Sequence, residues 1–135
     1  MKTPALGGVV FDTAAVVSWA NQANYAQAVV WATVGANNTI VVPATALAAA
    51  RAHIPPHRLD ILDVLLELPH TIITALDRGA SERLGAAFPG NPPAQLLLPA
   101  AHPPAAGVAR DWPCLTARPR KLRQLDPRVI IDLLP

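Results

Sequence analysis

The sequence predicts an α/β fold: a mostly parallel central sheet with helices on both faces. Three observations predict it. Short β-branched, apolar runs recur along the chain, and most lead into a helix-favouring stretch, the alternation that right-handed βαβ units produce. The runs are apolar at consecutive positions, as a strand covered on both faces requires. The composition, 52% hydrophobic and 15% charged over 135 residues, supplies the apolar side chains to fill one such core, taken as a single domain over residues 1–135.

The elements follow in order. Gly8-Val9-Val10-Phe11 reads as a strand ending at Asp12. Residues 13–20 and 24–34 are Ala-rich with apolar positions at helical spacing, so they form one kinked helix or two short ones, broken at Asn21-Gln22. Thr39-Ile40-Val41-Val42 is a second strand stopped by Pro43, and residues 44–52 have near-maximal helix propensity. Pro55-Pro56 separates this from a helix over 58–68, with Leu59, Leu62, Leu65 and Leu66 along one face and Asp60, Asp63 and Glu67 on much of the other. A third strand over 71–74 and a helix over 77–88 come next. Six prolines lie between positions 89 and 104, and because proline lacks an N–H and clashes with the preceding turn, no long regular helix is expected there. Residues 113–116 read as a fourth strand, 119–125 as a short helix opened by proline, and 129–131 as the last strand.

Several classes of protein are excluded. No apolar run reaches the roughly 18 residues that cross a bilayer, and Met1-Lys2-Thr3-Pro4 carries no secretory pattern, so a cytoplasmic protein is expected. The single cysteine, Cys114, supports neither an internal disulfide nor a cysteine-based zinc site, and reads as a small buried hydrophobe. His53 and His57 are four apart, but Pro55 and Pro56 interrupt the helix that would align them as ligands. No glycine-rich phosphate loop follows a strand, since Gly7-Gly8 precedes the first one, which leaves a nucleotide-type small-molecule site unsupported. The net charge of +2 is mild but uneven: Arg110, Arg118, Arg120, Lys121, Arg123 and Arg128 face only Asp111 and Asp126 in the segment they share.

In parallel sheets, sites form outside the carboxyl ends of the strands, which directs attention to Asp12 and to the residues after Pro43, Thr74 and Thr116. Three segments there, Val9-Val10-Phe11-Asp12-Thr13-Ala14-Ala15, Val41-Val42-Pro43-Ala44 and Trp112 through Pro119, together resemble the PIN-domain family in order and spacing over nearly the whole chain. In that family, which includes many toxins of toxin and antitoxin pairs, acidic residues at one end of a parallel sheet hold a divalent metal and cleave RNA. The resemblance implies Mg²⁺ or Mn²⁺ as cofactor, RNA as substrate, an antitoxin-like protein as partner, and Asp12 as the first acid with Thr13 as the hydroxyl after it.

This chain departs from the pattern at the remaining positions. Ala14 stands where serine is common, and Ala49 best matches a glutamate in the helix after Pro43. No Asp or Glu occurs from Leu84 to Arg110, where Leu97 aligns with the third acid. Thr116-Ala117-Arg118-Pro119 replaces a Thr-Ala-Asp-Pro motif. Mg²⁺ is held by carboxylates while it activates water and neutralises developing charge, so one acid holds it weakly. A degenerate domain that binds or regulates, without a catalytic metal, is therefore expected. The rival is an active metal-dependent ribonuclease that uses Asp12 with Asp77, Asp111 or Asp126, or with acids brought across a dimer.

Each candidate has a plainer role. Asp12 is either a metal ligand or a helix N-cap, a position where aspartate is favoured. Thr13 and Thr116 either touch a phosphate or cap helices. Arg118 either pairs inward with Asp12 or lies exposed at a helix start. With Arg120, Lys121 and Arg123 it forms a basic stretch that is either a solvated face or a contact for RNA phosphates or a partner. The Ala-rich helical segments with Trp19, Tyr25 and Trp31 are either core or an oligomer surface, and because so few charges leave apolar surface to spare, a homodimer is expected.

Overall fold

The computed structural model describes residues 7–86 and 98–135. Phe88, Leu97 and the prolines at 89, 92 and 93 lie outside the described residues. The strands are β1 (Gly8–Phe11), β2 (Thr39–Pro43), β3 (Thr71–Thr74), β4 (Cys114–Thr116) and β5 (Ile131–Leu133). They form one sheet in the order β3-β2-β1-β4-β5, and every neighbouring pair is parallel. β1 sits at the centre, with Val10 opposite Val41 on one side and Cys114 on the other.

The helices are α1 (Thr13–Ala20), α2 (Asn24–Gly35), α3 (Ala44–His53), α4 (Leu59–Leu66), α5 (Arg78–Ala86), α6 (Leu98–Arg110) and α7 (Pro119–Leu125), with a 3-10 turn at Pro56–Arg58. The segment after β1 is two helices instead of one kinked helix, because Gln22 adopts a left-handed backbone (φ 59°) and turns the chain between them.

The two-residue period of the strands divides the core in two. Val9, Phe11, Ile40, Val42 and Leu115 face Ala15, Val16, Trp19, Val30, Leu62 and Leu65 of α1, α2 and α4. Val10, Val41 and Cys114 face Ala106 of α6, Leu122 of α7 and Val129. Helices therefore cover both faces of the central strands β1, β2 and β4, whose runs are apolar because neither side meets water, whereas on the edge strands Ile72, Ile73 and Leu133 are exposed. Trp19 places its indole within this packing by donating from Nε1 to the Ile61 carbonyl at 2.7 Å.

One expectation is overturned. Residues 98–110 form a continuous helix with Pro103 and Pro104 inside it. Burial holds it there: Ala101, Pro103, Pro104 and Ala106 are buried, and α6 packs on α3, α7 and the strands β1 and β2. The Pro103 carbonyl accepts from Cys114 Sγ at 3.2 Å, an added tie between α6 and the sheet. Close approach at Gly107 allows this, since a Cβ there would lie 2.9 Å from Cys114 Sγ and 2.9 Å from the Trp112 carbonyl oxygen. Among the described residues, no helix is long and apolar enough to cross a membrane.

Candidate functional site

Because all strands run the same way, Asp12, Pro43, Thr74 and Thr116 end at one edge of the sheet. Asp12 follows β1 and is 5% exposed. Its Oδ1 accepts the Ala15 N–H at 2.9 Å, so it caps α1. Burial pushes its carboxyl above the ordinary aspartate value; hydrogen bonds from the Thr116 hydroxyl and from the Ala15 and Ala14 amides, and the charge of Arg118, pull it back only in part. Thr116 is fully buried and also accepts the Arg118 amide N–H at 2.9 Å, which links Asp12 to the turn that starts α7. Thr13 ties α1 to α3 by donating to the Ala46 carbonyl at 3.4 Å.

Beside Asp12 opens a pocket of about 590 Å³ lined by Thr13, Ala14, Ser18, Ala49, His53, Pro99, Arg118 and Lys121, among others. Four elements converge on it: the starts of α1 and α6, the last turns of α3, and the start of α7. Asp12 is the sole carboxylate in its lining, against the cations Arg118 and Lys121. Arg118 acts on Asp12 through its charge but forms no ion pair with it, and its side chain is exposed. Arg120 and Arg123 are exposed on α7 and line none of the clefts described here. Arg128, at the other end of that basic stretch, pairs with the buried Asp126 at 3.0 Å, and the guanidinium holds that carboxyl below its ordinary value despite its burial.

The acids that could have supplemented Asp12 are elsewhere. Asp77 caps α5 by accepting the Ala80 N–H at 2.8 Å and lines a different cleft. Asp111 lies in the turn before β4 and Asp126 before β5, at the amino ends of their strands and thus at the opposite edge of the sheet. Among the described residues no three His, Cys, Asp or Glu side chains group so as to hold a metal ion, and residues 1–6 and 87–97 contain no Asp or Glu. Cys114 is buried, and its thiol is raised to about 12 by burial, with the charge of Asp12 adding to it, which leaves it unreactive.

Sequence reasoning missed His53 and Ser18. His53 was set aside because Pro55 and Pro56 separate it from His57, yet it is the last residue of α3 and faces the pocket. The signal was present: His53 lies four residues after Ala49, and such positions share a helix face.

The chain is similar in structure to a chain of VapBC2 from Rickettsia felis bound to a DNA fragment from their promoter, with a TM-score of 0.71 at 14% identity over 95% of this chain and 99% of the other. The fold is PIN-like. No protein-family model and no curated protein matches the sequence.

Proposed function

We propose that this PIN-like domain has lost metal-dependent ribonuclease chemistry and acts as a binding or regulatory protein, with RNA or an antitoxin-like protein as its partner and a homodimer as its assembly in the cytoplasm. One observation carries the reading: the pocket has a single carboxylate, Asp12, already engaged as a helix cap, and two cations beside it. Mg²⁺ needs several oxygen ligands of high charge density, and Arg118 and Lys121 raise the potential against it. The residues present do not fit a catalytic divalent ion. They suit an anionic group of a partner, a phosphate or a carboxylate, held by Arg118 and Lys121 with Thr13, Ser18 and His53 as hydrogen-bonding neighbours.

The test combines cleavage and binding. Purified chain should leave single-stranded RNA intact in Mg²⁺ or Mn²⁺, and titration calorimetry should find no micromolar affinity for either ion. Single-stranded RNA should bind with an affinity that falls steeply as salt rises, and the double change Arg118→Gln with Lys121→Gln should weaken it and reduce the salt slope by about 2. Metal-dependent cleavage that disappears in Asp12→Ala, with thermal stability retained, would establish the active-enzyme reading. The supplementary acids would then have to come from a second copy of the chain or the substrate.

A further inference from the structure

A second cleft, of about 190 Å³, lies beyond the carboxyl end of β3 and is independent of the pocket beside Asp12. Thr74, Asp77, Arg83, His102 and Arg110 line it, with small alanines of α5 and α6 between them. His102, 3% exposed, lines it from a helix that is mostly Ala, Pro and Gly. His102 Nδ1 shares a hydrogen bond of 2.8 Å with Thr45 Oγ1, and no described residue bonds Nε2. In the tautomer in which the Thr45 hydroxyl donates to Nδ1, the ring carries its proton on Nε2 and offers it as a donor. One nitrogen of the imidazole is fixed by Thr45, and the other, unpartnered and not sealed from solvent, is open to the cleft.

The charges around it agree in sign. Arg83 and Arg110 form no ion pair among the described residues, and the undescribed ones contribute no carboxylate that could neutralise them. Asp77 is the one acid in the lining, and its Oδ1 is engaged by the Ala80 amide. Two guanidinium groups against one carboxylate leave the cleft with net charge +1. Thr74 adds a buried hydroxyl with no partner among the described residues.

We propose that this cleft binds a phosphate group, either free phosphate or a phosphate monoester, with Arg83 and Arg110 supplying charge-assisted donors and His102 Nε2 a neutral one. The planar guanidinium fork matches the spacing of phosphate oxygens, and a neutral N–H donor completes the set without a third charge. Asp77 can accept from the protonated oxygen of a monoanionic phosphate, and it disfavours a ligand without such a proton.

Histidine side-chain NMR on the full chain tests this directly, because His53 reports the pocket beside Asp12 and His102 reports this cleft. Titration with inorganic phosphate should shift the His102 ring signals saturably and leave His53 less affected. Arg83→Gln and Arg110→Gln, both at exposed positions, should each raise the half-saturating concentration about tenfold, the loss of one charge-assisted hydrogen bond. A nucleoside 5′-monophosphate that binds more tightly than inorganic phosphate identifies a monoester as the ligand; equal binding, with the bare nucleoside inert, identifies free phosphate. A His102 response that never saturates, that is unchanged in the doubly substituted chain, or that is replaced by a shift of His53 alone overturns the proposal. Those results leave the RNA-binding reading of the Asp12 pocket standing, since that reading rests on Arg118 and Lys121.

Discussion

The face of the sheet under α1, α2 and α4 is closed by large side chains, with Phe11, Trp19, Leu62, Leu65 and Leu115 in one continuous cluster. The face under α6 and α7 is closed by smaller ones, Val10, Val41, Ala106, Cys114, Leu122 and Val129, and by backbone drawn close at Gly107. The first face follows from pattern: leucines at helical spacing and β-branched runs. The second depends on contacts that no periodicity encodes, and it carries the buried His102 and the two internal prolines. Bulk sets tolerance on one side of this sheet and fit sets it on the other.

The largest expected effect separates the two directly. Leu62→Ala, at a fully buried position of the large cluster, should cost about 2–5 kcal/mol in urea unfolding, the transfer of a leucine side chain plus the cavity it leaves. Gly107→Ala should cost about 1–3 kcal/mol, although alanine is the better helix former, because the new methyl meets Cys114 Sγ and the Trp112 carbonyl oxygen. Adding Cys114→Ala to it should recover part of that loss, a coupling that Leu62→Ala paired with Cys114→Ala would not show. A stable Gly107→Ala chain would mean that α6 can move off the sheet, and the contrast between the faces would fail.

Asp12 and His102 give a finer comparison, made with pH. The folded carboxyl of Asp12 is raised above 3.8, so the native state holds a proton that the unfolded chain has lost; stability present at lower pH is lost as pH rises through the raised value. His102 is lowered below 6.5, chiefly by burial and then by Arg110, so the unfolded chain takes up the proton first and stability falls as pH drops below about 6.5. Asp12→Asn keeps the cap and removes the buried charge, so its melting temperature should gain on the parent as pH rises above 3.8. Asp12→Ala, which loses the cap, should cost about 0.5–2 kcal/mol. An Asp12→Asn chain less stable than Asp12→Ala at neutral pH would show that the charge itself is required. The smallest effect is expected outside both cores: Arg78→Ala removes an exposed i,i+4 pair with Glu82 and should leave the unfolding midpoint within experimental error.

Much of the fold was legible because burial of the central strands on both faces forces apolar runs and the alternation with helices forces parallel pairing. The start of every strand except β4 and β5 was placed to the residue, and those two run one to two residues later than the pattern indicates. Helix α6 was not legible, because proline's local cost is offset by packing that becomes visible only once β1, β2 and α3 surround it. Of the residues around the pocket, Asp12, Thr13, Thr116 and Arg118 stood out in the sequence through strand ends and the family resemblance, and Lys121 through the basic stretch, whereas His53 and, in the second cleft, His102 were missed. A histidine's partners depend on which helix faces meet, and that is set by residues far away in sequence, as Thr45 is from His102.

The central position of β1 bears on how the chain is made. Val10 pairs with Val41 some thirty residues later but with Cys114 only after about seventy more have been synthesised. At about 5–20 residues per second, the ribosome therefore leaves the first strand with one side unpaired for several seconds after β2 has emerged. During that interval Val9, Val10 and Phe11 present a hydrophobic edge to whatever is nearby. Pairing this distant in sequence is slow for entropic reasons, so recovery from denaturant at high concentration should be limited by capture at that edge, and a chaperone that shields short apolar strands should raise the yield more than it raises the rate.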